Sequence, residues 1–212
     1  MTLDAFSDLM LFLVCGWIAW TAFKTNLKTS NTRAGIGLAA LLIGFAALLG
    51  TIKFSSFSEA SALVKGAHQF ASLVAGVGAF PILAFSLANP KSPIAQHMVG
   101  AWWFTFAVAG FGVALVVLGF KLWGQIVPAV CALWIGYTVL FKPQANKVWL
   151  IVGWLSLVAS FCATLFVKPD VLMLGLFSKV QLLHYCLAIG LFLLTINATQ
   201  QKPINANLGY SA

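Results

Sequence analysis

The sequence predicts an all-α polytopic membrane protein, a bundle of seven transmembrane helices, on three observations. Of its 212 residues, 61% are hydrophobic and only 8% are charged. The mean hydropathy is +0.99, well outside the range of soluble globular domains. The apolar residues also fall in windows long enough to cross a hydrocarbon core, which takes about 20 residues at roughly 1.5 Å each.

In chain order the windows run from Ala5 to Phe23, Ala34 to Ile52, Gly66 to Ala88, Met98 to Phe120, Leu122 to Phe141, Val148 to Val167 and Phe177 to Ile196. Residues 1–198 then form one seven-helix domain and residues 199–212 a short polar tail. The connection around Lys121 is the tightest, and with Pro128 nearby, residues 98–141 read either as two spans or as one span and a re-entrant piece. The N-terminus carries Asp4 and Asp8 and no basic stretch before its apolar run, so the first window reads as a retained span rather than a cleaved signal. Cys15, Cys131, Cys162 and Cys186 all fall inside windows without CxxC spacing and act as small apolar residues.

Orientation follows from the connecting charges. Lys24, Lys28, Arg33, Lys91, Lys142, Lys147 and Lys202 fall on one side of a seven-span chain, and Lys53, Lys65, Lys121, Lys168 and Lys179 on the other. The positive-inside rule places the richer side in the cytoplasm, with the N-terminus outside and the C-terminus cytoplasmic in a cell inner membrane. All four acids, Asp4, Asp8, Glu59 and Asp170, belong to the outer side. The net charge of +8 comes from basic residues spaced singly between apolar runs, so it reads as a topology signal and nucleic acid is not an expected partner.

Small residues forecast which helices approach closely. Ala71, Ala75 and Ala79 line one face of the third span and Ala46 with Gly50 one face of the second, which makes these two neighbours. Pro81 and Pro128 are expected to kink their helices. Trp20, Trp102, Trp103, Trp123 and Trp149 lie near span ends, as interface aromatics do, whereas Trp17, Trp134 and Trp154 are deeper and read as lipid-facing or packed bulk. A five-residue echo between Leu13 to Trp17 and Leu150 to Trp154 is of a length expected by chance and supports no internal repeat.

The unusual residues converge on the outer half. The last window carries Lys179, Gln181 and His184 in its first half, and polar groups in a spanning helix need partners or water. The expected site is a polar pocket among the first, third and seventh helices, with Asp4, Asp8, His68, Gln181, His184 and Tyr185 as candidate residues. Asp4 and Asp8 are one turn apart and share a face, either as a cation or proton site or, more simply, as acids favouring the helix N-terminus with Asp4 as N-cap. His184 shares a face with Gln181 and Ala188 and can be satisfied by a neighbouring polar residue. His68 beside Gln69 sits in the first turn of its window, and Lys179 is placed to snorkel to the headgroups. His97 lies alone at the cytoplasmic edge.

Three chemistries could use this set. A zinc site would draw on His68, His184 and Asp8 or Asp4. Seven spans, His68 near the second-to-third helix region and His184 in the last helix resemble, faintly, the seven-helix membrane hydrolases of the alkaline ceramidase, adiponectin-receptor and lysoplasmalogenase superfamily. That resemblance implies metal-dependent hydrolysis of lipid amides or esters. The family's zinc-binding members carry two histidines one turn apart in the last helix, where this chain has His184 followed by Ala188. A b-type haem held by His68 and His184 is the second chemistry, although the windows put the two histidines at depths about 7 Å apart. The third, and the leading expectation, is a binding or accessory subunit for a lipid, a small hydrophobic ligand or a partner protein, within a homo-oligomer or larger membrane complex. Ion-coupled transport ranks lower, because no Asp, Glu, Lys or Arg occupies the deep middle of the spans. A retinal protein would need a lysine midway along the last helix, and Lys179 is in its first turn.

Overall fold

A computed structural model describes residues 2–24, 33–55, 62–142, 146–166, 172 and 177–199. Seven helices are long and apolar enough to cross a bilayer, and no β-strand occurs among the described residues. They are α1 (Leu3–Lys24), α2 (Ala34–Phe54), α3 (Ala62–Ala88), α4 (Met98–Val117), α5 (Trp123–Phe141), α6 (Lys147–Phe166) and α7 (Lys179–Thr199). Glu59, Asp170 and the expected polar tail from residue 200 onward lie outside the described residues.

Residues 98–141 form two helices. Between them the chain turns through Leu118 to Leu122, where Gly119 takes φ +104°, a left-handed conformation that glycine adopts without steric penalty. A short helical turn at Pro93–Gln96, capped by Ser92, leads into α4. Helix boundaries differ from the apolar windows at the starts of α3 and α7. The third helix begins at Ala62 rather than Gly66, because its first turns are amphipathic and carry Lys65 without breaking the helix. The seventh begins at Lys179 rather than Phe177, because Ser178 caps it: Ser178 Oγ accepts from Gln181 N–H at 3.2 Å while Ser178 N–H donates to Gln181 Oε1 at 3.3 Å. This reciprocal S-x-x-Q pair is a capping box.

Helix α1 packs most extensively on α2, and α7 closes the bundle by packing on both α1 and α6. Two close approaches explain where glycine is needed. A Cβ on Gly190 of α7 would stand 2.9 Å from the carbonyl oxygen of Gly153 and 3.0 Å from the amide nitrogen of Leu157, so α6 and α7 meet backbone to backbone. A Cβ on Gly50 of α2 would stand 2.6 Å from the carboxyl carbon and both oxygens of Asp8 on α1. Helices α2 and α3 are neighbours as the small-residue pattern predicts, but Gly50 serves α1 instead.

Deep in the bundle Trp154 fills the hollow over Gly136 and its indole N–H donates to the carbonyl oxygen of Ala132 at 2.9 Å. Trp17 and Trp134 keep much of their surface on the outside of the bundle, the first against Phe192 and the second edge-on to Phe85. Within α3 the residues Ala75–Ala79 form a π-helical turn immediately before Pro81. Proline has no N–H to return to the preceding turn, and a wide turn there accommodates the missing bond. On the side where α3 and α5 end, Lys142 Nζ donates to the carbonyl oxygen of Ala88 and Lys147 Nζ to that of Leu140, so cationic groups satisfy helix C-termini.

Candidate functional site

The starts of α1 and α7 are bound together. Thr2 Oγ1 accepts from Ala5 N–H at 3.2 Å and donates to the carbonyl oxygen of Phe54, so Thr2, not Asp4, caps α1. This releases Asp4 to face α7. Its Oδ1 accepts from Ser178 Oγ at 2.7 Å and from Gln181 Nε2 at 2.8 Å. Gln181 therefore uses both ends of its amide, one inside the capping box and one on Asp4. Tyr185 sets its ring edge-on to Phe177, 6.0 Å between centroids. Asp4, Gln181 and Tyr185, all expected in the pocket, lie outside the cavity lining. The S-x-x-Q signal for the Gln181 role was present in the sequence.

One turn further in, the same two helices carry a different arrangement. Asp8 is 0% exposed, and His184 Nδ1 stands 3.3 Å from its Oδ1. That separation is within ion-pairing range but off hydrogen-bond alignment, and neither Asp8 oxygen has a hydrogen-bond partner among the described residues. Ser7 Oγ stands within hydrogen-bonding distance of both the carbonyl oxygen of Asp4, 2.8 Å, and His184 Nδ1, 3.3 Å, the direction of the second contact following the imidazole tautomer. His68 Nδ1 lies 3.2 Å from the carbonyl oxygen of Ala46, an acceptor only, so Nδ1 of this ring carries hydrogen. When neutral, the His68 ring keeps Nε2 as a lone-pair acceptor.

Asp8, His68 and His184 line one cavity of about 360 Å³. They lie at similar distances along their helices. Asp8 is five residues past Leu3, His184 five past Lys179 and His68 six past Ala62, which places all three about 7.5 to 9 Å from their helix starts. The depth mismatch expected for the two histidines vanishes because the third helix starts earlier and the seventh later than the apolar windows suggest. The walls are drawn from more helices than the first, third and seventh. Ile43 and Ala47 of α2, Pro128 of α5 and Phe161 of α6 join them, leaving out only α4. The π-helical turn contributes Ala75 and Gly76, and the proline of α5 lines the cavity itself. Ser72, Gln125, Ala129 and Leu165 combine exposure with a place in the lining and so form the mouth.

The donor set does not fit a three-ligand metal centre: among the described residues no three His, Cys, Asp or Glu side chains are placed to hold a metal ion together. His68 and His184 meet the first requirement of a haem pair, a shared cavity, with Nε2 of each uncommitted. Comparison with protein-family models, curated proteins and solved structures finds no match to this chain.

Proposed function

We propose that the chain is a multi-pass inner-membrane protein, N-terminus outside and C-terminus cytoplasmic, that binds a lipid or small hydrophobic ligand in its cavity, alone or as an accessory subunit of a larger complex. The observation that carries this reading is the cavity itself. Its walls are mostly apolar side chains from six helices, and its three ionisable groups, Asp8, His68 and His184, share it, the usual construction of a small-molecule site. An intramembrane ionisable group is rare unless it has work to do, and Asp8 is held there without a hydrogen-bond donor. The lysine and arginine asymmetry supports the orientation.

The test is mass spectrometry of the detergent-purified protein under non-denaturing conditions. A hydrophobic adduct is expected, and it should be lost in Ala129→Phe, which fills the mouth, with the melting temperature unchanged. Purified protein that carries and binds no hydrophobic molecule would end this reading. Epitope tags at residues 1 and 212 should be accessible from opposite sides of the membrane.

A metal-dependent hydrolase of lipid amides or esters is the second reading; it rests on the resemblance to the seven-helix hydrolases, because Asp8, His68 and His184 share the cavity without forming a three-ligand centre. Stoichiometric zinc in the purified protein, lost in His184→Ala, would promote it. A Soret band lost in the same variant would promote haem b instead.

A further inference from the structure

Resting on the cavity reading above, we infer that the ligand is a lipophilic amine, bound with its ammonium group between Asp8, His68 and His184 and its apolar chain along the cavity wall. The argument is one of complementarity. Asp8 is fully buried, faces the cavity and offers two oxygens that no described residue satisfies by a hydrogen bond. A carboxylate left this way is expensive in an apolar setting, and a cation with N–H groups is the partner that relieves it. His68, whose Nδ1 hydrogen is held toward the Ala46 carbonyl, keeps Nε2 as an acceptor, and a neutral His184 beside Asp8 has one acceptor nitrogen of its own. The ionisable groups of the lining therefore include lone pairs suited to an N–H donor.

The lining contains no lysine or arginine to answer them. Lys53, whose charge reaches Asp8 from the end of α2, stacks over the Phe54 ring, 4.6 Å from Nζ to the centroid, and is not part of the wall. A carboxylic acid or a phosphate ester would meet no cationic group, and the neutral donors Ser72 and Gln125 lie at the exposed mouth. A primary ammonium brings up to three donors and a positive charge, and its alkyl chain is suited to the wall formed by Leu11, Ile43, Phe80, Phe161 and Leu187. The exposed mouth gives such a molecule a route in.

The test titrates the full-length protein in neutral detergent with octylamine, octanol and nonanoate, following the fluorescence of its eight tryptophans. The three probes share a chain, so the burial of methylene groups cancels and the headgroup is isolated. Octylamine is expected to bind at least tenfold more tightly than either of the others. That preference should fall below threefold in Asp8→Asn, whose unliganded melting temperature reports whether it has folded. Octyltrimethylammonium, with the same charge and no N–H, should bind at least tenfold more weakly than octylamine to the unaltered protein, a comparison that needs no variant. Equal binding of the three first probes would overturn the amine inference and leave the cavity reading standing. Binding of none would overturn both. Stabilisation by zinc alone, without any response to octylamine, would overturn it in favour of a metal site.

Discussion

Asp4 and Asp8 sit one turn apart on the same helix and face the same neighbour, yet they are treated oppositely. Asp4 is partly exposed, and its Oδ1 is held by two donors from the α7 capping box. Asp8 is fully buried beside His184 with neither oxygen hydrogen-bonded among the described residues. The first acid does what a carboxylate at a helix terminus does well, accepting several hydrogen bonds where water is close and joining two helices. The second would be a defect if stability were its only purpose. The difference teaches that the α1–α7 seam is a fastener where the two helices begin and, one turn further in, part of a cavity wall, the level at which we propose that a ligand binds.

The largest expected effect comes from separating the helices that define the wall. Gly190→Leu drives a side chain into the backbone of α6 and should destabilise the protein by about 3 kcal/mol or prevent its folding, as overpacking at a tight contact does. Thermal unfolding in detergent reads this directly. Gly50→Val displaces the Asp8 carboxyl from its seat on α2, with an expected loss of about 2 kcal/mol. Its more telling consequence is for ligand binding, which should fail even in the fraction that folds. If binding survives there, the position of Asp8 is not what recognises the ligand.

Smaller effects sharpen the fastener side. Ser178→Ala removes the cap of α7 and one donor to Asp4, a loss of about 1 to 2 kcal/mol that should leave ligand affinity within twofold. Trp154→Phe deletes the indole donor to Ala132 and should lower stability by about 1 kcal/mol, again with unchanged binding. A change in affinity from either variant would blur the division between the two levels of the seam.

Much of this was legible in the sequence. The seven spans stand out because an apolar window of that length has few alternatives to a membrane helix. Helix parity places Asp8, His68 and His184 in the same half of the bundle, since α1, α3 and α7 all start on one side, but that Asp8 rather than Asp4 stands beside His184 depends on how the helices are turned, which parity does not fix. What hydropathy could not mark is where helices begin. Lys65 lies inside α3 and Phe177 outside α7, so apolar windows misplaced both starts and hence the relative depth of the histidines. The capping box at Ser178 was readable and would have corrected α7. The Gly50 seat and the contributions of α2, α5 and α6 to the wall depend on contacts between residues distant in the chain, which a single sequence does not encode locally. Tyr185 illustrates the opposite error: adjacency to His184 turns it around the helix and onto Phe177, because neighbours in sequence do not share a helical face.

The most direct measurement compares Asp4→Asn with Asp8→Asn, each assayed for both melting temperature and octylamine affinity. Asp4→Asn should melt at lower temperature and bind the amine as before, whereas Asp8→Asn should keep or raise its melting temperature and lose the preference for the amine. The reverse pattern, with Asp4 governing affinity and Asp8 governing stability, would contradict the account.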